Sequence, residues 1–465
     1  MSRCSSSPVR RPAAGFAGFC LSAALLGVCM PAKANDSDDI QSLHQEIERL
    51  KQENQANQEK LKVLEQRLDQ AQSTPPAAAP TVTSTAPAAG NALNPAISLI
   101  LQGTYLNKTR GPDRNGVTGF ELPDEFGLQR RGFSLGESEL SLAAAIDPYL
   151  FGSFTAAVTG DGDVEVEEAY AQTVGLAHGL TLKGGRFFSG IGYENGIHQH
   201  AWDFYDAPLV YQVLLGTEAI GNYGDDGVQL RWLAPTDVFL ELGAELGRGR
   251  SFPATDRNDN GIGAWSLFAH VGDDIGISQS YRAGISWLHT QASQRSFDNP
   301  EFFTSATSGS TFSGNSDLFI LDGLWKYAPN GDPSRTNLKL QGELFWRLED
   351  GHSSYAGLPT MRDASSTSQG GLYLQAIYQF MPRWRAGVRG DCLFSGHVDY
   401  GDNAAYLPRS DYDPRKWSAM LDFSPTEFSR FRLQAELDQT LQNRNDTVIL
   451  LQYIYSLGAH GAHAF

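Results

Sequence analysis

Apolar and polar side chains alternate along the chain from residue 96 to its end. The clearest segment is 337–349. Its apolar face carries Leu338, Leu340, Gly342, Leu344, Trp346 and Leu348, and its other face carries Lys339, Gln341, Glu343, Phe345, Arg347 and Glu349. The same split recurs in 237–247, 384–394 and 430–438. A period of two predicts β-strands with one side toward an apolar medium and the other toward water.

The connections between these segments decide which kind of β-protein is expected, because a soluble sandwich alternates too. Strands are predicted to begin near residues 96, 133, 149, 164, 180, 228, 238, 264, 281, 318, 338, 372, 384, 417, 428 and 447. Short links that usually contain proline, such as 234–236, take turns with longer links rich in Gly, Asp, Asn and Ser, such as 291–315. Short turns on one side and long loops on the other are typical of an outer-membrane barrel. The sequence therefore predicts an all-β fold over 96–465, a 16-stranded antiparallel transmembrane β-barrel preceded by a short N-terminal coiled coil.

Residues 1–34 are predicted to be a cleaved secretory signal peptide. Three arginines precede an apolar stretch over 13–30, and Ala32-Lys33-Ala34 presents small residues where a signal peptidase cuts. A lipoprotein signal is the alternative and would use Cys29, but Val28 before it is a poor fit to the small residue that such processing requires. Three of the four cysteines leave with the signal, so Cys392 remains alone and no internal disulfide is expected.

Residues 35–72 show a heptad repeat, which predicts a periplasmic coiled coil. One core position holds Ile40, Ile47, Asn54, Leu61 and Leu68, and the other holds Leu43, Leu50, Asn57 and Leu64. The alternative is a lone amphipathic helix that lies on another surface. Residues 73–95 are an uncharged Ala/Pro/Thr-rich linker, which cannot form a core.

Composition and charge narrow the class further. After the signal there is no apolar run of about 18 residues or more that would predict a transmembrane helix, and this alone favours a soluble periplasmic protein. The 48 glycines, the 11% aromatic content and the alternation favour the barrel. The formal net charge is −17; residues 1–34 add four positive charges and 35–72 a net four negative ones, so 96–465 also carries −17. No nucleic-acid partner is expected for so acidic a chain.

The last segment carries a second signal for a barrel. Ile449, Leu451, Tyr453, Tyr455 and Leu457 alternate, and Phe465 ends the chain in the same parity. A terminal phenylalanine on an alternating strand resembles the sorting signal that the barrel-assembly machinery recognises. These features predict a location in the cell outer membrane, with lipid around the barrel.

Three short segments resemble the phosphate-selective porin family, the porin O and P group. They are 94–99 (Asn-Pro-Ala-Ile-Ser-Leu), 184–188 (Gly-Gly-Arg-Phe-Phe) and 457–465 at the end of the chain. The resemblance covers residues 96–465 in overall plan and implies a sixteen-stranded homotrimer whose third loop folds inward. Five lysines among residues 96–465, together with the negative charge, differ from the cationic pore that the resemblance implies. An acidic vestibule instead concentrates cations.

The long connection at about 188–226 is the candidate constriction, because an inserted loop narrows a barrel. It carries Glu194, His198, His200, Asp203 and Asp206. The predicted pore-lining arginines are Arg186, at the start of the loop, and Arg231, Arg282, Arg347, Arg385, Arg389, Arg430 and Arg432. An acidic loop that faces a basic wall would create a transverse field across the channel. The alternative is that these charges pair with one another.

His198 and His200 point the same way in an extended chain, which allows a metal site; His460 and His463 form a second such pair. The alternative is a solvated loop pair, and no cofactor is expected. No Gly-x-Ser-x-Gly motif is present, and the sequence does not predict an enzyme. An energy-coupled transporter would need a globular plug domain, for which the coiled coil and linker leave no room.

The predicted function is that of a porin for passive diffusion of small hydrophilic solutes or ions. One alternative is a channel selective for phosphate, polyphosphate or divalent metal ions. Another is a structural outer-membrane anchor, whose coiled coil would contact peptidoglycan.

Overall fold

In the computed structural model, residues 95–109, 116–122, 131–158, 160, 162–216, 222–256, 260–297, 310–355, 362–407 and 409–458 are described, together with Lys51. The chain divides into two units, Met1–Ala86 and Pro87–Phe465, and the fold below is that of the second. The predicted signal peptide lies outside the described residues, and so do Phe465 and nearly all of the predicted coiled coil and linker.

The described residues form strands almost throughout. The strands are β1 (Ala96–Lys108), β2 (Gly132–Leu135), β3 (Ser138–Ala145), β4 (Leu150–Val158), β5 (Val164–Thr173), β6 (Leu180–Phe188), β7 (Gly224–Leu233), β8 (Phe239–Gly247), β9 (Ala264–Ile275), β10 (Gln279–Phe297), β11 (Ser310–Tyr327), β12 (Asn337–Ser354), β13 (Arg362–Met381), β14 (Trp384–Asp399), β15 (Arg415–Thr426), β16 (Ser429–Leu441) and β17 (Arg444–Gly458). The helix α1 spans Leu209–Leu214, and 3₁₀ turns span Ala177–Gly179, Glu194–Gly196, Gln199–Ala201, Pro329–Gly331 and Gly401–Ala405. No helix in this part of the chain is both long and apolar enough to cross a membrane.

The sheet closes on itself as a barrel. Sequential strands pair antiparallel, and β1 pairs with β17 along eleven residue pairs. β2 and β3 both pair with β1 and are two pieces of one strand interrupted at Gly136 and Glu137. Counted so, the barrel has sixteen strands, and the predicted sixteen-stranded antiparallel barrel is confirmed.

Most strands begin within four residues of the predicted positions, but β11 and β13 begin earlier, at 310 rather than 318 and at 362 rather than 372. The added segments, 310–317 and 362–371, are rich in Ser, Thr, Gly and Asp. Apart from Phe312 and Ala364, their residues are polar or glycine on both sides of the strand, so the alternation that marks the rest of the strand is absent there. The ladder of backbone hydrogen bonds continues into these segments regardless of side-chain pattern.

The predicted alternation sorts side chains between the two faces of the barrel wall. On β12, Leu340, Leu344 and Trp346 are about 40% exposed on the outer face, whereas Arg347 on the inner face is fully buried. β8, β14 and β16 repeat the pattern, with Leu242, Val388 and Leu433 outward. The outer surface is therefore apolar, and the charges lie inside.

Residues 189–216 and 222–223, between β6 and β7, lie inside the barrel; we call this segment the inward loop. Its helix α1 is buried from end to end and contacts β12, β13 and β14. Val210 and Leu214 join Phe345, Tyr373 and Leu393 of the wall in one apolar cluster. Burial of apolar side chains against the wall stabilises this placement, at roughly 1.5–3 kcal/mol for each large side chain.

Candidate functional site in the barrel interior

The inward loop is held to the wall by two aspartates, of which Asp206 is the more buried. Arg389 on β14 donates from Nη2 to Asp206 at 2.8 Å, and Lys416 on β15 contacts the same carboxylate oxygen. Gln434 Nε2 donates to the other oxygen at 2.9 Å. Burial alone would raise the pKa of Asp206, but Arg389 and Lys416 outweigh it and hold the pKa well below the usual range. Asp206 is therefore a charged anchor between the loop and two strands.

Asp203 forms the second anchor. Arg385 Nη1 donates to its carboxylate at 3.0 Å, and Lys339 contacts the other oxygen. The same arginine bridges to Asp422 on β15, at 2.7 Å. Burial alone would raise the pKa of Asp203, but Lys339 and Arg385 lower it to about 2. The carboxylate is ionised at any neutral or mildly acidic pH.

Other wall arginines bind the loop backbone. Arg432 donates to the carbonyl of Trp202 at 2.8 Å, and Arg347 donates to the carbonyl of Leu214 at 3.1 Å. Arg430 donates to the carbonyl of His200 at 2.5 Å. Arg347, Arg389 and Arg432 are each at most 2% exposed, so these three face the loop rather than open water. These three arginines therefore fit the expectation that the interior charges pair within the packed interior, rather than that of a basic wall across an open constriction.

Two predicted arginines line the part of the interior near the short turns. Arg231 contacts Glu241 at 3.3 Å, and Arg282 lies 3.6 Å from Asp322. In both pairs the cation is the more exposed partner: the side chain of Arg231 is 35% exposed against 18% for Glu241, and that of Arg282 is 25% exposed against 0% for Asp322. Lys339 and Arg385 are likewise more exposed than Asp203.

Arg186 lies elsewhere, and the prediction that it lines the pore is wrong. On β6 it shares its parity with Leu180 and Leu182, which are exposed on the outer face. It pairs with Asp226, its direct neighbour on β7, with Nε 2.6 Å from the carboxylate. The alternation of β6 places Thr181 and Lys183 inward and Arg186 outward, so the outward direction of Arg186 can be predicted from the sequence.

The two predicted histidines lie at the start of the inward loop, against the inner face of β3 and β5. His198 is surrounded by carboxylates, with Glu139 and Glu168 oxygens at 3.3 and 3.2 Å from its two ring nitrogens. His200 Nδ1 lies 2.7 Å from the other oxygen of Glu139, and the two rings stack at 5.8 Å. Burial alone would lower the pKa of His198, but the surrounding carboxylates raise it well above its usual value.

Glu194, the remaining predicted loop residue, is 6% exposed and accepts a hydrogen bond from Gln341 Nε2 at 2.5 Å. Its burial raises its pKa. It therefore belongs to the packed interface between the loop and β12.

Sequence reasoning missed the acids that surround His198 and the lysines that hold the loop. Lys339 was on the predicted polar face of β12, so its inward direction was available from the alternation. The acids are Glu137, Glu139, Glu167 and Glu168. Adjacent or near-adjacent glutamates on one strand were the signal, because strict alternation cannot place Glu167 and Glu168 on the same face without a bulge.

No family model matches the chain. A relative described as an uncharacterized protein of Aquifex aeolicus is 31% identical over 409 residues, which are 82% of this chain and 81% of that protein. Among solved structures, the anion-selective porin from Comamonas acidovorans is 10% identical, with a TM-score of 0.48 over 78% of this chain and 99% of that one. The outer-membrane channel DcaP of Acinetobacter baumannii is 11% identical, with a TM-score of 0.47 over 78% and 97%. OprB of Pseudomonas putida is 14% identical, with a TM-score of 0.45 over 78% and 94%.

Proposed function

We propose that the chain, which belongs to the same family as the Aquifex aeolicus protein, is an outer-membrane porin. Small hydrophilic solutes and ions diffuse through it passively. The observation that carries the proposal is the closed barrel with apolar side chains outside and charges inside. A soluble protein that exposed so much contiguous apolar surface would aggregate. A lipid bilayer covers such a surface.

The ends of the strands support the membrane placement. Near the short turns, Tyr281, Tyr327 and Tyr378 are exposed on the outside. Aromatic side chains with one apolar and one polar end favour the level of the lipid headgroups, and transmembrane barrels carry such girdles. The short turns face the periplasm in this placement, and the long loops face outward.

The channel is proposed to be narrowed by the inward loop, held by Asp203 and Asp206. Because their partners neutralise these acids directly, the transverse field expected from an acidic loop against a basic wall is replaced by ion pairs. The charge that meets water below the loop is then mainly that of Arg231, Arg282 and Lys339, the exposed members of their pairs. Cations in a narrow, low-dielectric passage raise the local concentration of anions.

This arrangement favours a second candidate, an anion-selective channel for solutes such as phosphate. The specific observation is that Lys326 and Lys339 lie directly opposite each other in the register of β11 and β12. Like charges placed so repel each other; Asp203, in contact with Lys339, offsets part of this repulsion, and a transient anion beside the two lysines would relieve the rest. The net charge of −17 is that of the whole chain, whereas these two lysines lie inside the barrel.

A homotrimer is proposed from the unequal height of the wall. β3 to β8 are 8 to 10 residues long, whereas β10 to β13 are 18 to 20. The low side carries the outward pair of Arg186 and Asp226, and a charged pair in contact with lipid is unfavourable. A subunit contact on this side would shield it. Binding of peptidoglycan by the coiled coil and recognition of Phe465 by the barrel-assembly machinery remain proposals from the sequence.

Planar-bilayer recording tests the function. The purified mature chain is expected to produce stable current steps, and the reversal potential under a tenfold KCl gradient is expected to show higher permeability for chloride than for potassium. Arg282→Glu should shift the reversal potential toward potassium, and Arg248→Glu, in an exposed loop pair with Asp256, is the matched control. A silent bilayer would favour the structural anchor. Current with a potassium preference would refute the anion candidate and leave the porin.

A further inference from the structure

Two bulges reshape the inner face of the wall beside His198. Between β2 and β3 the register with β1 shifts by one residue, from Gly103 opposite Leu135 to Ile100 opposite Glu139. The extra residue reverses the parity, so Phe133 and Leu135 point outward before the bulge and Leu140 points outward after it. Glu137 and Glu139 are both buried inside, at 5% and 1% exposure. A bulge is a means of re-aiming side chains.

The second bulge lies two strands away, on β5. Thr155 of β4 pairs with Glu168 and Ala156 pairs with Val166, so Glu167 has no partner in the ladder. Adjacent Glu167 and Glu168 therefore both reach the interior, where their side chains are 13% and 11% exposed. On the strand between the bulges, the inward residues Thr155 and Ala157 are small. Space over them lets acids from β3 and β5 approach one another.

Two of these acids, Glu139 and Glu167, converge on one ring nitrogen of the inward loop. Oxygens of Glu139 and Glu167 lie 3.3 and 3.6 Å from His198 Nδ1, and the three ligand atoms lie within 4.8 Å of one another. Ligands of a four-coordinate ion at about 2.1 Å stand roughly 3.4 Å apart, which matches the two distances to His198 Nδ1. Among the described residues, three buried atoms here make no well-aligned hydrogen bond, although two of them face each other as an ion pair: Glu137 Oε1, Glu167 Oε2 and His198 Nδ1.

We propose that Glu139, Glu167 and His198 bind a divalent transition-metal ion, with the buried Glu137 carboxylate beside it as a further oxygen donor. One imidazole with two or three carboxylates suits Zn²⁺ or Mn²⁺ better than Mg²⁺, which prefers oxygen ligands alone. The ion neutralises repulsion among carboxylates that two bulges bring together. It also ties the start of the inward loop to β3 and β5, the wall opposite the strands that hold Asp203 and Asp206.

His200 has a different role in this site from the one that its spacing suggested. Its Nδ1 lies 2.7 Å from Glu139 Oε1, whereas His198 approaches Glu139 Oε2. It therefore orients the Glu139 carboxylate rather than supplying a ligand atom. Residues that orient a ligand change metal affinity by about 10- to 100-fold when they are removed.

Zinc binding to the purified full chain tests the proposal. After chelation and dialysis, titration calorimetry and elemental analysis are expected to show one tightly bound Zn²⁺ per chain. Glu167→Gln and His198→Asn should weaken binding by more than about 100-fold, and His200→Asn by less. The control is Glu241→Gln, which removes the carboxylate from another interior pair, with His270 at 3.2 Å; among the described residues this pair belongs to no group of three ligand atoms. It should bind zinc as the wild type does.

Folding of each variant is checked by its heat-modifiable migration in gels, and His198→Asn, a loop substitution, does not alter either bulge. Absence of zinc binding by the wild type would overturn the proposal and leave a protonated His198 as the counter-charge. Wild-type affinity in both Glu167→Gln and His198→Asn would overturn it too, since the ion would then lie elsewhere. Neither result bears on conductance, so the porin proposal is judged separately.

Discussion

Neutralising Asp206 is expected to release the inward loop. In Asp206→Asn the carbonyl oxygen still accepts hydrogen bonds, but Lys416 loses its nearest carboxylate while it stays buried. Arg389 keeps Asp391 at 3.0 Å. Removing one partner of a buried ion pair costs about 3 to 5 kcal/mol, because the other charge is left uncompensated. We take the lower end, about 3 kcal/mol, since Arg389 remains paired, and this corresponds to roughly a 150-fold larger undocked population of the loop.

Single-channel recording detects that population directly. Wild-type openings are expected to be quiet, whereas Asp206→Asn should show frequent excursions to higher conductance as the loop leaves the lumen. Lys416→Met added to Asp206→Asn removes the uncompensated charge and should restore most of the quiet state. Asp256→Asn, which breaks the exposed pair with Arg248, serves as the control, because exposed pairs contribute at most about 1 kcal/mol. Identical noise and conductance in wild type and Asp206→Asn would refute the role of Asp206 as an anchor of the inward loop.

Three further outcomes follow from the same structure. The pKa of Asp203 is lowered to about 2, so its stabilisation of the loop is complete above the unfolded pKa of about 3.9 and is lost as the pH falls through 2. Channel noise should therefore stay constant from pH 7 to 4 and rise below pH 3. Leu344→Arg places a charge on the outer face of β12 and should destabilise the barrel in bilayers by about 2–4 kcal/mol, measured by urea unfolding against Leu344→Phe. Arg231→Glu should lower the chloride-to-potassium permeability ratio in the same direction as Arg282→Glu, whereas an unchanged ratio in both would show that neither side chain meets the permeating ions.

The strands could be predicted because the alternation within each strand reflects an apolar medium on one face and the polar interior on the other. Leu344 and Arg347 lie on opposite faces of β12, and the alternation of apolar and polar residues around them already indicates this. The polar upper halves of β11 and β13 were not predictable in this way, since both faces of those segments meet the same polar surroundings. The period-two signal ends where lipid contact would end, not where the strand ends.

The contacts of the site could not be predicted from the sequence, for a different reason. Asp206 and Arg389 are 183 residues apart, and which wall arginine meets which loop acid depends on how the loop crosses the lumen. The metal site depends on two bulges, each of which reverses the parity of the following residues. Period-two alternation assumes an unbroken strand, so it cannot place Glu137 and Glu167 inside.

The most direct test of the barrel is a comparison of neighbouring positions on the two faces of the wall in lipid vesicles. With Cys392→Ser as background, single cysteines at Arg231, Arg282 and Lys339 should react with a charged, water-soluble thiol reagent. Cysteines at the adjacent outward positions Leu230, Ala283 and Leu340 should not react. Equal reaction at inward and outward positions would contradict a lipid-facing wall, and no reaction at any of the six would contradict a water-filled channel.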